Sequence, residues 1–574
     1  MSFSSGQLPL RQEIYRALSS FSLKQKLLLL FLAVIFIGSI VALAWKLNDR
    51  WLVTVAVPGG TLTEGIVGFP AHGNPLFAIT DPDRDLAALV YSGLLKIGKD
   101  GLIIPDLAQS YTVSADGLSY DFKLRAGLSW QDGTPLTADD VVFTIGKIQD
   151  PAVKSPRRAA WEGVRAQKIG GLEVRFSLKK PYSAFLENAT IGLLPKHLWQ
   201  EIKSEAFSLS EYNIKGVGSG PYRIVAVERE PTGLPAIYRL EPFKNYAGGE
   251  PKITSLILHF YKNDETIRTA YERGEIDSFG SIPPTTAALL KKNGANVQTI
   301  SLPRIFAAFF NQNDPVLSDR TVRSALSLTT DKNSLIKNAL QGAGVAINGP
   351  IPPGSEGYLA DRQSVYDPKA AAELLEKAGW KKGVDGIWAK TDKKNKTVRL
   401  EFNLSTAAAP ELKSTAELLV AEWNQFGAKV TVSIYDLADL DQNLIRPRKF
   451  SALLFGEILG RDPDLYSFWH SSQRLAPGLN ITQYANSTAD KLLEDARRSG
   501  DPEIRTAKYE KFQTELAKDN PAIFLYSPYF LYILPAKVKG ADFPSLIVPS
   551  ERFATIADWY IAHDRVWKIF TTKQ

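Results

Sequence analysis

Hydrophobic and polar positions alternate with a readable period along most of this chain. Tyr120, Phe122 and Leu124 are interleaved with Asp121 and Lys123, the period-two pattern of a half-buried strand. Asp132-Gly133-Thr134-Pro135 then supplies a turn. Thr137, with Asp140 three residues on, predicts a capped helix opening at Ala138. Further helices are predicted over 321–328, 334–341, 368–377, 410–426, 488–498 and 502–518, and one over 85–95, where Leu86, Leu89 and Val90 share a face. Strands are predicted over 51–57, 253–261, 307–311, 398–404, 429–434 and 452–456. Strands separated by helices imply α/β layers, and the lack of a repeat of fixed period argues against a solenoid.

One stretch has no period at all. Residues 27–44, LLLLFLAVIFIGSIVALA, are apolar without interruption. At about 1.5 Å per residue they cross most of a hydrocarbon core of about 30 Å. Arg11, Arg16, Lys24 and Lys26 precede the run, while Lys46, Asp49 and Arg50 follow it. By the positive-inside rule this predicts a cytoplasmic segment 1–26, a transmembrane anchor 27–45 and a single-pass protein whose bulk lies outside the cytoplasm. The rival reading is a signal peptide cut after Ala42-Leu43-Ala44, leaving a secreted or periplasmic protein. The length of the apolar run and of the segment before it favours the anchor.

At 574 residues and 44% hydrophobic content, the chain exceeds one core and is not disordered, so two or more lobes are expected. The formal charge of +7 arises from 68 basic and 61 acidic residues spread along the chain, a solvated surface and not a nucleic-acid face. Cysteine is absent, which removes a lipidation site, disulfides, zinc-thiolate centres and thiol nucleophiles. The five histidines, His72, His197, His259, His470 and His563, form no close pair with ligand spacing. There is no G-x-S-x-G elbow, no P-loop and no strand-linked G-x-G-x-x-G. Asp139-Asp140 and Asp462-Pro463-Asp464 read as a helix start and a turn. Neither an enzyme nor a cofactor is expected.

The run GLSYDFKLRAGLSWQDGTPLTADDVVF (residues 117–143) also resembles the signature of the family 5 extracellular solute-binding proteins, the peptide-, nickel- and oligosaccharide-binding components of ABC importers. The resemblance continues in order through GSGPYR at 218–223, GEID at 274–277, VRSAL at 322–326, Asp331, NGPIPP at 348–353, Tyr366-Asp367-Pro368 and Ala378-Gly379-Trp380. It implies a two-lobed α/β fold of the periplasmic-binding-protein type II, with an additional subdomain, here preceded by the membrane helix. Lobe one would comprise 53–85, 205–304 and 529–574, the subdomain 86–204 and lobe two 305–528. It further implies that peptides, most simply oligopeptides, are captured by lobe closure and delivered to a permease, with ATP hydrolysis on another chain. Binding of a nickel chelate, haem or oligosaccharide is the alternative within the fold. A membrane-anchored peptide sensor or chaperone is the alternative outside transport, separable by whether permease and ATPase genes adjoin.

Candidate ligand residues follow from the resemblance. Ala452-Leu453-Leu454-Phe455-Gly456-Glu457 is similar to the family strand along which an extended ligand adds as a further strand. Phe455, Gly456 and Glu457 are therefore candidates. Gly460 falls where peptide binders carry the Asp that pairs the ligand ammonium, and one residue is missing before Asp462. Either Glu457 or Asp462 takes over that pairing, or the ligand has no amine there. Arg461 could pair a ligand carboxylate or Asp464. Phe310-Asn311 resembles an "FN" at a strand end, with Asn placed to bond a ligand amide. Trp469 is one of eight aromatics near the expected cleft, with Phe309, Phe310, Phe455, Tyr466, Tyr484, Tyr526 and Tyr529, of which two or three should touch ligand. Glu64, within a loop expected over 59–65, lines the cleft as an anion or sits in a solvated turn.

Overall fold

The computed structural model describes residues 15, 19–182, 185–360, 365–391, 395–461, 463–543 and 546–570. Most of the segment 1–26, Arg11 and Arg16 included, lies outside them. The chain forms two compact units, residues 1–58 with 562–574, and residues 59–561.

In the first unit, the apolar run forms a helix, Leu23–Trp51, that buries none of its residues. Ser22 and Gln25 close a capping box at its start. Among the described residues it is the one helix long and apolar enough to cross a membrane. It takes in Trp51, expected in the following strand, and passes directly into Leu52–Ala56. That strand pairs antiparallel with His563–Trp567, Leu52 opposite Trp567.

The second unit contains three principal sheets. The first, five-stranded, has the order 278–279, 61–67, 255–261, 235–242 and 222–229. The loop expected over 59–65 is instead mostly the strand Thr61–Val67, parallel to both neighbours and near the middle of this sheet. Its buried Leu62 and Ile66 flank Glu64, a polar interruption that made it read as loop. The helix expected over 85–95 runs from Asp81 to Val90. Its start is set earlier by Thr80, whose side chain caps Asp83 N while its hydroxyl donates to the Asp83 carboxylate. The second sheet, four antiparallel strands in the order 108–113, 119–124, 173–177 and 165–170, carries the helix Ala138–Gln149. Thr137 and Asp140 form the expected cap, with Thr137 N–H donating to Asp140 at 2.9 Å.

The third sheet has the order 297–301, 522–533, 304–310, 452–458, 401–407 and 429–435, with 344–346 added on 522–533. One hydrophobic core runs from Ile305 to Tyr526, and another takes in Leu62 to Leu302 and then Phe530 to Trp559. The strand Ala522–Ile533 passes from one core to the other. It pairs with Arg304–Phe310 in its first half and with Val297–Ser301 in its second. The same sheet thus crosses the boundary twice, at 302–305 and at 526–530.

Candidate functional site

Along one side, the strand Ala452–Ile458 is paired with Arg304–Phe310 over its whole length. On the other side, Glu401–Ala407 pairs only with residues 452–454. Among the described residues, 455–458 therefore present one backbone edge without a neighbouring strand. Gly456 fits here because a Cβ would lie 2.8 Å from the Phe306 ring, which stacks on Tyr526. Phe455 is half-buried.

Glu457 lies opposite Ile305 in the ladder, on the face that also carries the enclosed Ala307. It is 7% exposed, and its Oε2 has no hydrogen-bond partner. Burial pushes its carboxyl up to about 8, so it is neutral at pH 7. Beyond Gly460, the Arg461 guanidinium donates to the Gly101 carbonyl at 2.7 Å and to Glu551 Oε2 at 2.6 Å. Glu551 also accepts from Ile547 N–H. Asp464 pairs with Arg497 and not with Arg461. Asp462 lies outside the described residues. Two cavities of about 400 Å³ each flank the Arg461–Glu551 pair. One is lined by Arg84, Arg157, Tyr182, Glu187 and Glu551, the other by Asp100, Glu187, Glu356, Arg461 and Arg505.

The remaining candidates are deeper. Phe310 is fully enclosed against Trp423. Asn311 donates its amide to the carbonyls of Arg448 and Phe450 and accepts from Asn313 N–H, so its polar atoms serve the turn that they close. Trp469 is 1% exposed between Phe309 and Phe524. Tyr484 and Tyr526 bond Asp519 and Thr415. Glu64 has no exposed surface. It accepts from Arg552, from the Tyr532 hydroxyl at 3.0 Å and from the Ser278 hydroxyl. Arg552 also grips Asp85 through two nitrogens. Burial raises the Asp85 carboxyl to about 6, although Arg552 pulls it down. These partners lie 214 to 488 residues apart, so no local spacing announces them. Arg84 and Arg304 were likewise invisible to motif reading, and their signal is structural: each has a buried Nε with no partner.

The arrangement offers an open strand edge, neutral and charged hydrogen-bonding groups, and a pair of polar cavities. Among the described residues no group of three or more His, Asp or Glu is placed to hold a metal ion.

Residues 103–476 match the sequence model of the bacterial extracellular solute-binding proteins, family 5 Middle. The chain is 29% identical over 516 residues to the oligopeptide-binding protein AppA of Bacillus subtilis, covering 88% of this chain and 92% of that protein. It is 25% identical to the dipeptide-binding protein of Escherichia coli, over 85% of this chain and 93% of the other. Among solved structures, it superposes on the Bacillus subtilis AppA complex with a nonapeptide at a TM-score of 0.69 and 28% identity, covering 88% of this chain and all of that one. It superposes equally on Campylobacter jejuni NikZ in complex with Ni(L-His), at 0.69 and 27% identity, covering 87% and 99%.

Proposed function

Because the chain belongs to the bacterial extracellular solute-binding proteins of family 5, we propose that it captures short peptides outside the cytoplasm and delivers them to an ABC importer. Members of this family are solute-binding proteins, not enzymes, and work with separate permease and ATPase subunits. The observation that carries the peptide reading is the unpaired backbone edge at residues 455–458. An extended peptide can add there as a strand, and main-chain hydrogen bonds read length and backbone while sparing sequence. The relatives whose names specify oligopeptides and dipeptides support the same class of ligand.

In this reading Phe455, Gly456 and Glu457 meet the ligand. Glu64, Phe310, Asn311 and Trp469 hold the walls that position them. Two separate cores, joined at 302–305 and 526–530, are the lobes, and their closure buries the ligand and presents the paired surface that a permease distinguishes. The helix Leu23–Trp51 keeps the protein at the membrane. Titration calorimetry of the full chain in detergent, against a mixed library of tri- to pentapeptides, tests the assignment. Heat from many unrelated sequences is expected. Heat only from a nickel–histidine chelate or an oligosaccharide would refute it and move the protein to the metal-chelate or sugar branch of the fold.

A further inference from the structure

The two-stranded ribbon of the first unit buries none of its residues. Leu52–Ala56 follows the apolar helix without a linker and pairs with His563–Trp567, and Val57 N–H extends the ladder to the Ala562 carbonyl at 3.2 Å. Arg565 bonds Asp49, 516 residues earlier, and so ties the C-terminal strand to the last turn of the helix. A ribbon of two strands alone in water is marginally stable at best. Its helix end nevertheless gathers large apolar side chains at the surface: Trp51 is 53% exposed, Trp567 48% and Ile569 69%. Leu52 lies opposite Trp567, so Trp51 and Ile569 stand within two residues of one ladder pair. Lys46, Arg50 and Lys568 are exposed beside them.

Position along the helix identifies what covers this end. About 20 residues at about 1.5 Å each fill a hydrocarbon core of about 30 Å, so a span that enters at Leu27 leaves near Lys46. Trp51 is then about 8 Å farther along the axis, level with a headgroup layer about 5–8 Å deep on each side. Tryptophan rings settle at that level, where lysine and arginine meet phosphates. Because the patch is carried by the residues that directly follow the span, it is held at this height, and the bilayer is the surface within its reach. We propose that Trp51, Trp567 and Ile569, with Arg50 and Lys568, rest in the outer headgroup layer of the membrane that the helix spans. The C-terminal strand is thereby a second membrane contact. The inference rests on the anchor reading above and adds a fixed depth for the C-terminus.

Because the chain has no cysteine, a single label can be placed by substitution. The full chain carrying Ile569→Cys is labelled with a polarity-sensitive fluorophore. It is reconstituted into phosphatidylcholine–phosphatidylglycerol vesicles that contain no other protein and some lipid with a headgroup nitroxide. The label should emit at shorter wavelength than in water, be quenched strongly by the nitroxide lipid, and be shielded several-fold from iodide. Trp51→Ala with Trp567→Thr should remove most of this quenching, whereas Trp51→Tyr with Trp567→Tyr should keep it. Ala and Thr preserve helix and strand propensity, so the loss reports the rings and not an opened ribbon. In protein that floats with the vesicles, a label open to iodide and untouched by the nitroxide lipid would overturn the C-terminal contact and leave the anchor standing. Nitroxide quenching that survives the Ala and Thr substitutions would do the same. Protein that does not float with the vesicles would overturn the anchor reading itself, and this inference with it.

Discussion

Glu457→Gln should stabilise this protein at alkaline pH and leave it nearly unchanged in acid. The Glu457 carboxyl titrates near its ordinary value of 4.5 in the unfolded chain, but at about 8 when buried opposite Ile305. Between those values the unfolded chain has released the proton and the native state keeps it. Folding must therefore take up a proton, and stability falls by about 1.4 kcal/mol per pH unit. Over the interval from 4.5 to about 8 the loss accumulates to roughly 5 kcal/mol. Gln has no proton to lose and pays none of this, while its shape and its unpartnered polar atom are close to those of the neutral acid. The difference in melting temperature, variant minus parent, should be near zero at pH 4.5. It should widen steadily and level off above pH 8 at a size on the order of 10 °C, taking roughly 2 °C per kcal/mol for a domain of some 200 residues. Scanning calorimetry of both proteins in matched buffers reads this directly, and taking the difference cancels every other titrating group. A difference that stays constant from pH 5 to 9 would refute the reasoning, since it would mean that Glu457 ionises normally and is solvated or paired.

Arg552→Met should destabilise the fold by about 3–5 kcal/mol, read by thermal unfolding, because it leaves the carboxylates of Glu64 and Asp85 buried without their cation. Gly456→Ala should cost about 1–3 kcal/mol, as the new Cβ displaces the Phe306 ring from its stack on Tyr526; an unchanged melt would mean that the ring yields freely. Peptides methylated on alternate backbone nitrogens should bind at least about tenfold more weakly than their parents in titration calorimetry, because each lost N–H removes a main-chain bond to the edge at 455–458. The full chain should fractionate with membranes at undiminished mass, and recovery of a soluble form beginning at Trp45 would favour cleavage over anchoring.

What could be read from the sequence was local. The Thr137–Asp140 cap and the helices near 368–377 and 410–426 came through within a residue or two, because period and capping act over one or two turns. The strand Thr61–Val67 did not come through. Its glycine-rich approach and its Thr, Thr and Glu interrupt the apolar run, and Glu64 is tolerable in mid-sheet only because Arg552 arrives from far along the chain. The helix at 81–90 was misplaced because its start depends on Thr80 and Asp83, upstream of the apolar face that suggested it. The candidate site divides in the same way. That 452–458 is a strand was readable, but that its neighbour stops at residue 454 is a fact about pairing between distant segments. Phe310 and Asn311 fit a motif, yet the structure gives them Trp423, Arg448 and Phe450 as partners, none of which a motif names.

The buried Arg552 network and the Arg461 contact belong to one mechanical chain. Arg552 sits in the short turn Pro549–Phe553, and its grip on Glu64 and Asp85 ties that turn to the strand 61–67 inside the five-stranded sheet and to the helix 81–90. Glu551, the adjacent residue, then has a fixed position from which to meet Arg461, which leaves the strand 452–458 of the other core. A contact between two cores that needs no ligand lowers the cost of bringing them together. Every such contribution adds to the affinity for all ligands alike and to discrimination among none. Selectivity must then come from groups that the two cores leave unsatisfied when they meet. Those are the free edge at 455–458 and the neutral Glu457 carboxyl, whose Oε2 is buried without a partner. The first is indifferent to side chains, and the second adds a hydrogen bond without a standing charge.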